Sequence, residues 1–387
     1  MELAVIRIAL LGSTGSIGES TLAVVERHPD RFRVTALGAR RSCERLRAQA
    51  ERHGPTATVL VEPDDAADPA WGRGTEALCA LGTRPDVDVV VNAVVGFAGL
   101  APTLAALEAG KRVALANKES LVAGGPLVAR ALERGGGTIV PIDSEHSAIL
   151  QCLSGYEPDD VARLVLTASG GPFRGWSRDA LRAVGPSDAL RHPTWNMGSK
   201  ITVDSATLAN KALEVIEAHV LYGIDFDRID VVVHPQSIVH SFVEFHDGSV
   251  LAQLGYPTME LPILIALSHP ERVPDAELRT FDPVRMSPLT FEPVDDDAFP
   301  LFGVGVRAGR AGGTAPAVFN AANEVAVASF LDGRLPFLEM AGVVEDTLAA
   351  IAGPEAPDLA ALEDVDARAR AHARAAVAVH ARAEARP

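Results

Sequence analysis

Short apolar runs alternate with stretches of helical period through the first third of the chain. Val5–Leu11 reads as a buried strand and Ile17–Arg27 as the helix that follows it. Phe32–Leu37, Thr58–Val61 and Val87–Ala93 read as further strands. Leu100–Ala109 reads as helix, Val113–Ala116 as strand, Leu121–Arg134 as helix and Thr138–Ile142 as strand. Continuously apolar strands separated by helices predict a parallel, doubly wound sheet. Beyond Asp143 the texture changes. Leu164–Ala168 and Val231–His234 read as strands, and Ser241–His246 and Ser249–Leu254 flank Asp247-Gly248, a hairpin signal that implies antiparallel pairing. A polar loop, Arg191–Lys200, precedes a helix from about Ser205 to Tyr222. His269–Pro300 carries prolines without periodicity and reads as a linker. From Ala315 the pattern is helical and ends in an Ala/Arg-rich tail, read as a solvated helix. The predicted class is α/β: a Rossmann-like parallel sheet over 1–146, an α+β middle region over 147–268, a linker over 269–300 and a helical region over 301–387.

Composition narrows the function. The 387 residues carry a formal net charge of −16, which argues against a nucleic-acid partner or an anionic membrane. An anionic small molecule could bind only where cations are concentrated locally. Cys43, Cys79 and Cys152 are widely spaced and form no CxxC, which predicts reduced thiols, a cytoplasmic location and no zinc knuckle. The N-terminus lacks a basic leader region, and no uncharged apolar stretch is long enough to span a membrane. Only four of the 35 basic residues are lysine, and all lie between Lys111 and Lys211.

Three motifs carry chemistry. Gly12-Ser13-Thr14-Gly15-Ser16-Ile17-Gly18 follows the first strand and opens the first helix, where glycines let the backbone approach a pyrophosphate. The alternative is a tight strand-to-helix turn without a ligand. At the end of the second strand, where an NAD site wants an acid, stands Arg40-Arg41-Ser42, suited to a 2′-phosphate and hence to NADP(H). A solvated basic helix start is the plainer reading. Asp143-Ser144-Glu145-His146 ends another strand; on extended backbone Asp143 and Glu145 would point the same way and suit Mg²⁺ or Mn²⁺ better than zinc. The competing reading is a helix N-terminus with acidic residues in its first turn. Farther on, Asn210, Lys211 and Glu214 share one helical face, either as a third metal carboxylate beside an ammonium and an amide or as an exposed salt bridge.

Weaker candidates are His234 and His240 at strand ends and the acidic run Asp295–Asp297, read as a solvated loop or helix start. Ser169-Gly170-Gly171 could expose N–H groups to phosphate, or serve only as a turn. The loop bearing His192 and Trp195 is either a lid or a loop anchored by Trp195.

Together these motifs resemble one family, the 1-deoxy-D-xylulose 5-phosphate reductoisomerases. The resemblance rests on Gly12–Gly18, Asn117-Lys118-Glu119, Asp143–His146, Ser169–Phe173, His192–Gly198, Asp204–Thr207, Asn210-Lys211 and Glu214. It continues through His234–Ser237, Asp247–Ser249 and Asn320–Glu324, in family order and over nearly the whole chain. It implies NADPH- and metal-dependent conversion of 1-deoxy-D-xylulose 5-phosphate to 2-C-methyl-D-erythritol 4-phosphate, in isoprenoid precursor synthesis. The implied metal ligands are Asp143, Glu145 and Glu214, for Mg²⁺, Mn²⁺ or Co²⁺, and Lys118 joins them as a catalytic residue. The substrate would meet Lys118, Ser144, Glu145 and Glu214, its phosphate Ser169, His192, Ser205, Asn210 and Lys211, with Trp195 closing over it. NADPH would meet Thr14, Gly15, Ser16, Ile17, Arg40, Arg41, Ser42, Asn117, Glu119 and Gly198. The resemblance also implies a homodimer joined through the middle region. The family's second-strand turn commonly holds a glycine before its basic residue, whereas this chain has Arg40-Arg41. Two rivals stand beside this reading. Another two-domain NADP-dependent oxidoreductase would not need the three carboxylates, and a non-catalytic NADPH sensor would not need a lid.

Overall fold

The computed structural model describes residues 5–195 and 197–383, so Asn196 of the polar loop and the last residues of the tail lie outside the described residues. The chain forms two compact units, the first from residues 1–120, 125–150 and 258–279 and the second from 121–124, 151–257 and 280–387.

The first unit holds seven strands: β1 (Ile6–Leu11), β2 (Phe32–Ala39), β3 (Ala57–Leu60), β4 (Gly72–Arg73), β5 (Val89–Asn92), β6 (Arg112–Leu115) and β7 (Thr138–Pro141). Their order is β4-β3-β2-β1-β5-β6-β7, and every pair is parallel. Ile8, Leu10, Leu37, Val89 and Val91 are buried because helices cover the sheet, which is why these strands lack polar alternation. The strand order reverses between β1 and β5. Such a switch point opens a crevice at the carboxyl ends of the strands. Helices Cys43–His53 and Gly74–Gly82 and the short strand β4 escaped the sequence reading. Cys43–His53 buries only Cys43 and Leu46, so its period is masked by charge.

Part of the stretch read as linker belongs to this unit. Val273 and Leu278 pack on its core, as do Ile263, Leu264 and Leu267 of the helix Glu260–Ser268. Asp275 accepts from Arg27 at 2.9 Å and pairs with His28 at 3.0 Å, contacts between residues far apart in sequence. No local periodicity could announce them.

The second unit holds β8 (Val161–Ala168), β9 (Ile229–Val233), β10 (Val239–Phe245), β11 (Val250–Leu254) and β12 (Glu292–Pro293), ordered β11-β10-β8-β9-β12. The β10–β11 hairpin is antiparallel as Asp247-Gly248 predicts, and the Asp247 carboxylate accepts from the Ser249 backbone at 2.8 Å. β12 lies within the stretch read as linker and pairs with β9. The helices Ala209–Tyr222, Pro300–Ala311, Ala315–Leu331, Met340–Ile351 and Leu359–Ala383 share one core around Ile216, Phe319, Phe330 and Val344. The tail is no solvated helix. Ala369, Ala373, Ala376 and Val377 form a buried stripe at helical spacing, small enough for close helix packing, while Arg370 pairs with Glu324 at 2.9 Å. Among the described residues no helix is long and apolar enough to cross a membrane.

Asp86, ahead of β5, offers a test of the first unit's electrostatics. The Arg84 guanidinium, followed by the Thr56 hydroxyl, outweighs the opposing effect of burial and lowers the Asp86 carboxyl from 3.8 to about 2. The stabilisation is therefore complete above the ordinary value and is lost as pH falls toward about 2. Asp86→Asn is expected to lower the urea midpoint at pH 7, with the gap to the parent protein narrowing as pH drops from about 4 toward 2.

Candidate active site

The glycine turn sits at the switch point. Gly12 holds φ +86°, and a Cβ there would stand 2.4 Å from the Ala93 carbonyl oxygen beyond β5. Only glycine allows that approach. The turn is tied to the end of β2, since Gly12 and Ser13 both donate to the Gly38 carbonyl, at 2.8 and 3.0 Å. The helix Ser16–Arg27 begins after Gly15, which has no side chain to cap its free N–H groups. Thr14 and Ile17 are half-buried, and Gly15 and Ser16 are exposed. A helix end open in this way suits an anion. Sequence reasoning missed two supports: Arg45 donates to the Thr14 carbonyl at 3.1 Å and Gln49 to that of Ser13 at 3.0 Å. Both come from the helix whose period was masked. Arg40 and Arg41 stand at the end of β2, largely exposed, and both pair with Glu62. Ser42 follows as the helix N-cap, without a side-chain cap bond.

At the end of β6 the chain turns into the helix Lys118–Gly135. Asn117 caps it, its Oδ1 accepting from the Ser120 N–H at 3.0 Å while its amide donates to Glu119 at 2.8 Å and to the Val94 and Gly96 carbonyls. Asn117 and Glu119 are both buried. Lys118 points its ammonium at Asp143, 2.9 Å away, and the other Asp143 oxygen accepts from His146 Nδ1, also at 2.9 Å. Burial pushes the Asp143 carboxyl up, but the Lys118 ammonium and then His146 outweigh it and hold it well below the usual carboxylate range. The backbone here is not extended. The Ser147 N–H bonds the Asp143 carbonyl at 2.8 Å, so Ser144 and Glu145 lie in the first turn of a helix, Ser144–Cys152. The acidic helix start is the local structure, and Ser144 Oγ donates to Glu145 at 2.5 Å.

In the second unit, the expected helix from Ser205 to Tyr222 is two helices, Ser199–Ala206 and Ala209–Tyr222. Leu208 breaks them with φ 58°, a left-handed conformation that costs about 1–2 kcal/mol in a non-glycine residue. The buried Leu208 side chain offsets that strain. The break puts Asn210 and Lys211 in the first turn of a new helix. Both side chains reach Glu214, Asn210 Nδ2 at 2.5 Å and Lys211 Nζ in a buried ion pair. The pair is thus no exposed salt bridge.

Ser169, His192 and Ser205 come together. His192 Nδ1 accepts the backbone N–H groups of Thr194 and Trp195, at 3.1 and 2.9 Å. The ring proton therefore sits on Nε2, which lies 3.1 Å from both Ser169 Oγ and Ser205 Oγ. Burial lowers the His192 pKa and so favours the neutral ring. Gly171, at φ +65°, donates its N–H to Ser169 Oγ at 3.2 Å. Two hydroxyls and an imidazole N–H converging on one point can receive an anion's oxygens. Trp195 is half-buried, and Gly198 is exposed at the N-cap of the next helix. Asp204, nearly fully buried, pairs with Lys200 at 2.9 Å and accepts from Asn323 at 2.7 Å. The i,i+4 spacing of Lys200 and Asp204 could have signalled the first contact; nothing local signals the second. His234 has a structural role: its Nε2 accepts the Ile238 N–H at 3.1 Å and its Nδ1 donates to the Thr290 carbonyl at 2.8 Å.

Three family models cover most of the chain. The model described as 1-deoxy-D-xylulose 5-phosphate reductoisomerase matches residues 8–125, and its C-terminal domain model matches 139–222. A further DXP reductoisomerase C-terminal domain model matches 254–372. The reductoisomerase of Heliobacterium modesticaldum is 52% identical over 372 residues, covering 93% of this chain and 95% of that protein. That of Nocardia farcinica is 54% identical over 347 residues, covering 88% and 86%. Among solved structures, the Zymomonas mobilis reductoisomerase in complex with NADPH is 40% identical, with a TM-score of 0.89 over 97% of this chain and 99% of that one. A reductoisomerase in complex with NADPH, fosmidomycin and magnesium is 38% identical, with a TM-score of 0.92 over 97% and 99%.

Lys200→Met would leave the Asp204 carboxylate buried without its cation. It is expected to destabilise the protein by about 2–4 kcal/mol, measured as a drop in the denaturant midpoint at unchanged slope.

Proposed function

The chain belongs to the 1-deoxy-D-xylulose 5-phosphate reductoisomerase family, and we propose that Asp143, Glu145 and Glu214 hold the divalent cation its reaction needs. The reaction converts 1-deoxy-D-xylulose 5-phosphate to 2-C-methyl-D-erythritol 4-phosphate with NADPH, first rearranging the carbon skeleton and then reducing the resulting aldehyde. When bound, the cation supplies Lewis acidity and NADPH supplies the hydride.

The residues present fit both groups. Carboxylate oxygens without a thiol suit Mg²⁺, Mn²⁺ or Co²⁺. The glycine approach at Gly12 and the open helix end at Gly15 suit a pyrophosphate. The observation that carries the reading is the Asp143 carboxylate, kept ionised by Lys118 on one oxygen and His146 on the other. An ionised carboxylate is what a hard cation requires, and the Lys118 ammonium beside it is a compact donor to a substrate oxygen. Ser144 and Glu145 face the same substrate oxygens.

Phosphate falls to Ser169, His192, Ser205, Asn210 and Lys211. His192 donates from Nε2 as a neutral ring, so it orients the phosphate without needing a proton from solvent. Binding energy from that remote group holds the rearranging fragments in register. The loop bearing Trp195 closes over the substrate and keeps water from the aldehyde. Thr14–Ile17, Arg40–Ser42, Asn117, Glu119 and Gly198 take NADPH. The enzyme works in the cytoplasm as a homodimer joined through the middle region. The rival oxidoreductase and the NADPH sensor both lack support beside relatives of this coverage.

Purified protein is expected to oxidise NADPH on addition of 1-deoxy-D-xylulose 5-phosphate and Mg²⁺, and to stop on addition of a chelator. No chelator-sensitive oxidation would sink the reading. Glu214→Gln is expected to lower turnover by about a thousandfold while NADPH affinity, followed by fluorescence titration, stays at the parent value.

A further inference from the structure

Glu62 was not among the residues singled out in the sequence, yet the fold places it against both cations of the β2 turn. Its Oε1 lies 2.6 Å from Arg40 Nε and its Oε2 2.5 Å from Arg41 Nε. Backbone register fixes that position. Past the end of β3, the Val61 N–H donates to the Ala39 carbonyl at 3.0 Å and the Glu62 N–H to the Arg40 carbonyl at 2.9 Å. The Arg40 and Arg41 side chains are 71% and 67% exposed and that of Glu62 34%, so all three charges face solvent where a ligand would arrive. Arg45, in the helix that follows the turn, is engaged elsewhere, with Glu19 at 2.7 Å and with the Thr14 carbonyl.

We propose that Glu62 is a specificity-determining residue that weakens the preference of this turn for a 2′-phosphorylated dinucleotide. The inference rests on the reading that Arg40–Ser42 receives the 2′-phosphate. A phosphate monoester carries about −1.5 to −2 charges at pH 7 and seeks the guanidinium edges that Glu62 already occupies. It must displace a carboxylate and then lie beside it. A ribose with a free 2′-hydroxyl meets no such conflict, because Glu62 offers it an acceptor, the role an acid commonly plays in NAD sites. The turn thus combines the cations of an NADP site with the carboxylate of an NAD site, donated by the neighbouring strand.

The test is titration of the full-length protein with NADPH and with NADH, read by cofactor fluorescence at low ionic strength. Glu62→Gln is expected to tighten NADPH about three- to tenfold and to leave NADH within about twofold or weaker, with the NADPH gain shrinking in about 0.5 M salt. An unchanged ratio of the two Kd values would overturn the proposal, and so would weaker NADPH binding. The double variant Arg40→Ala with Arg41→Ala separates this failure from that of the underlying reading. If it loses NADPH affinity while Glu62→Gln changes nothing, the role of Glu62 alone falls. If it binds NADPH like the parent protein, the assignment of the turn falls and the proposal with it.

Discussion

A carboxylate taken out of water must be neutralised or paired, and at three buried positions this protein meets that demand with its scarcest cation. Three of its four lysines each meet one carboxylate: Lys118 with Asp143, Lys200 with Asp204 and Lys211 with Glu214. The fourth, Lys111, donates to the carbonyls of Arg84 and Val87 and so ties together the segments that lead into β5 and β6. A flexible ammonium can follow a single buried oxygen, whereas a planar guanidinium needs room for its fork. Arginine makes most of the other ion pairs, many of them exposed, though Arg27 and Arg370 meet the largely buried Asp275 and Asp366. Each of these three carboxylates thus has a cation at hand inside a chain that is acidic overall.

A second constraint is how polar side chains are oriented by the backbone around them. His192 is held in one tautomer, since two backbone N–H groups hold Nδ1 as an acceptor and leave Nε2 to donate. Leu208 contributes by breaking one helix into two, which sets Asn210 and Lys211 at a helix start where the backbone itself favours negative charge. The Leu208 break depends on burial, in the core that Leu208, Leu213 and Phe319 share.

Much of this was legible in the chain. The parallel sheet, the glycine turn, the hairpin at Asp247-Gly248 and the lone face of Asn210, Lys211 and Glu214 all follow from short-range spacing. For Asp143 and Glu145 the extended-strand reading fails and the competing one, an acidic helix start, is what the chain adopts. The helix Cys43–His53 was missed because only two of its residues are buried, and with it went the support that Arg45 and Gln49 give the glycine turn. The tail misled in the opposite direction: alanine signals helix but not which face is covered, and here alanines make up most of the buried stripe.

Spacing and residue chemistry by themselves determined most of the strands of the first sheet, the glycine turn and the candidates Arg40–Ser42, Asp143, Glu145, Asn210, Lys211 and Glu214, while Asn117, Lys118, Glu119, Ser205 and Gly198 came from the family resemblance. These are decisions made within a few residues, by side-chain period and backbone permissiveness. The tertiary structure alone decided which charges distant in sequence meet. Glu62 against Arg40 and Arg41, Asp275 against Arg27 and His28, and Glu324 against Arg370 join segments that no local pattern links. Charge pairing is short-ranged in space and indifferent to separation along the chain, so only the folded backbone could choose the partners.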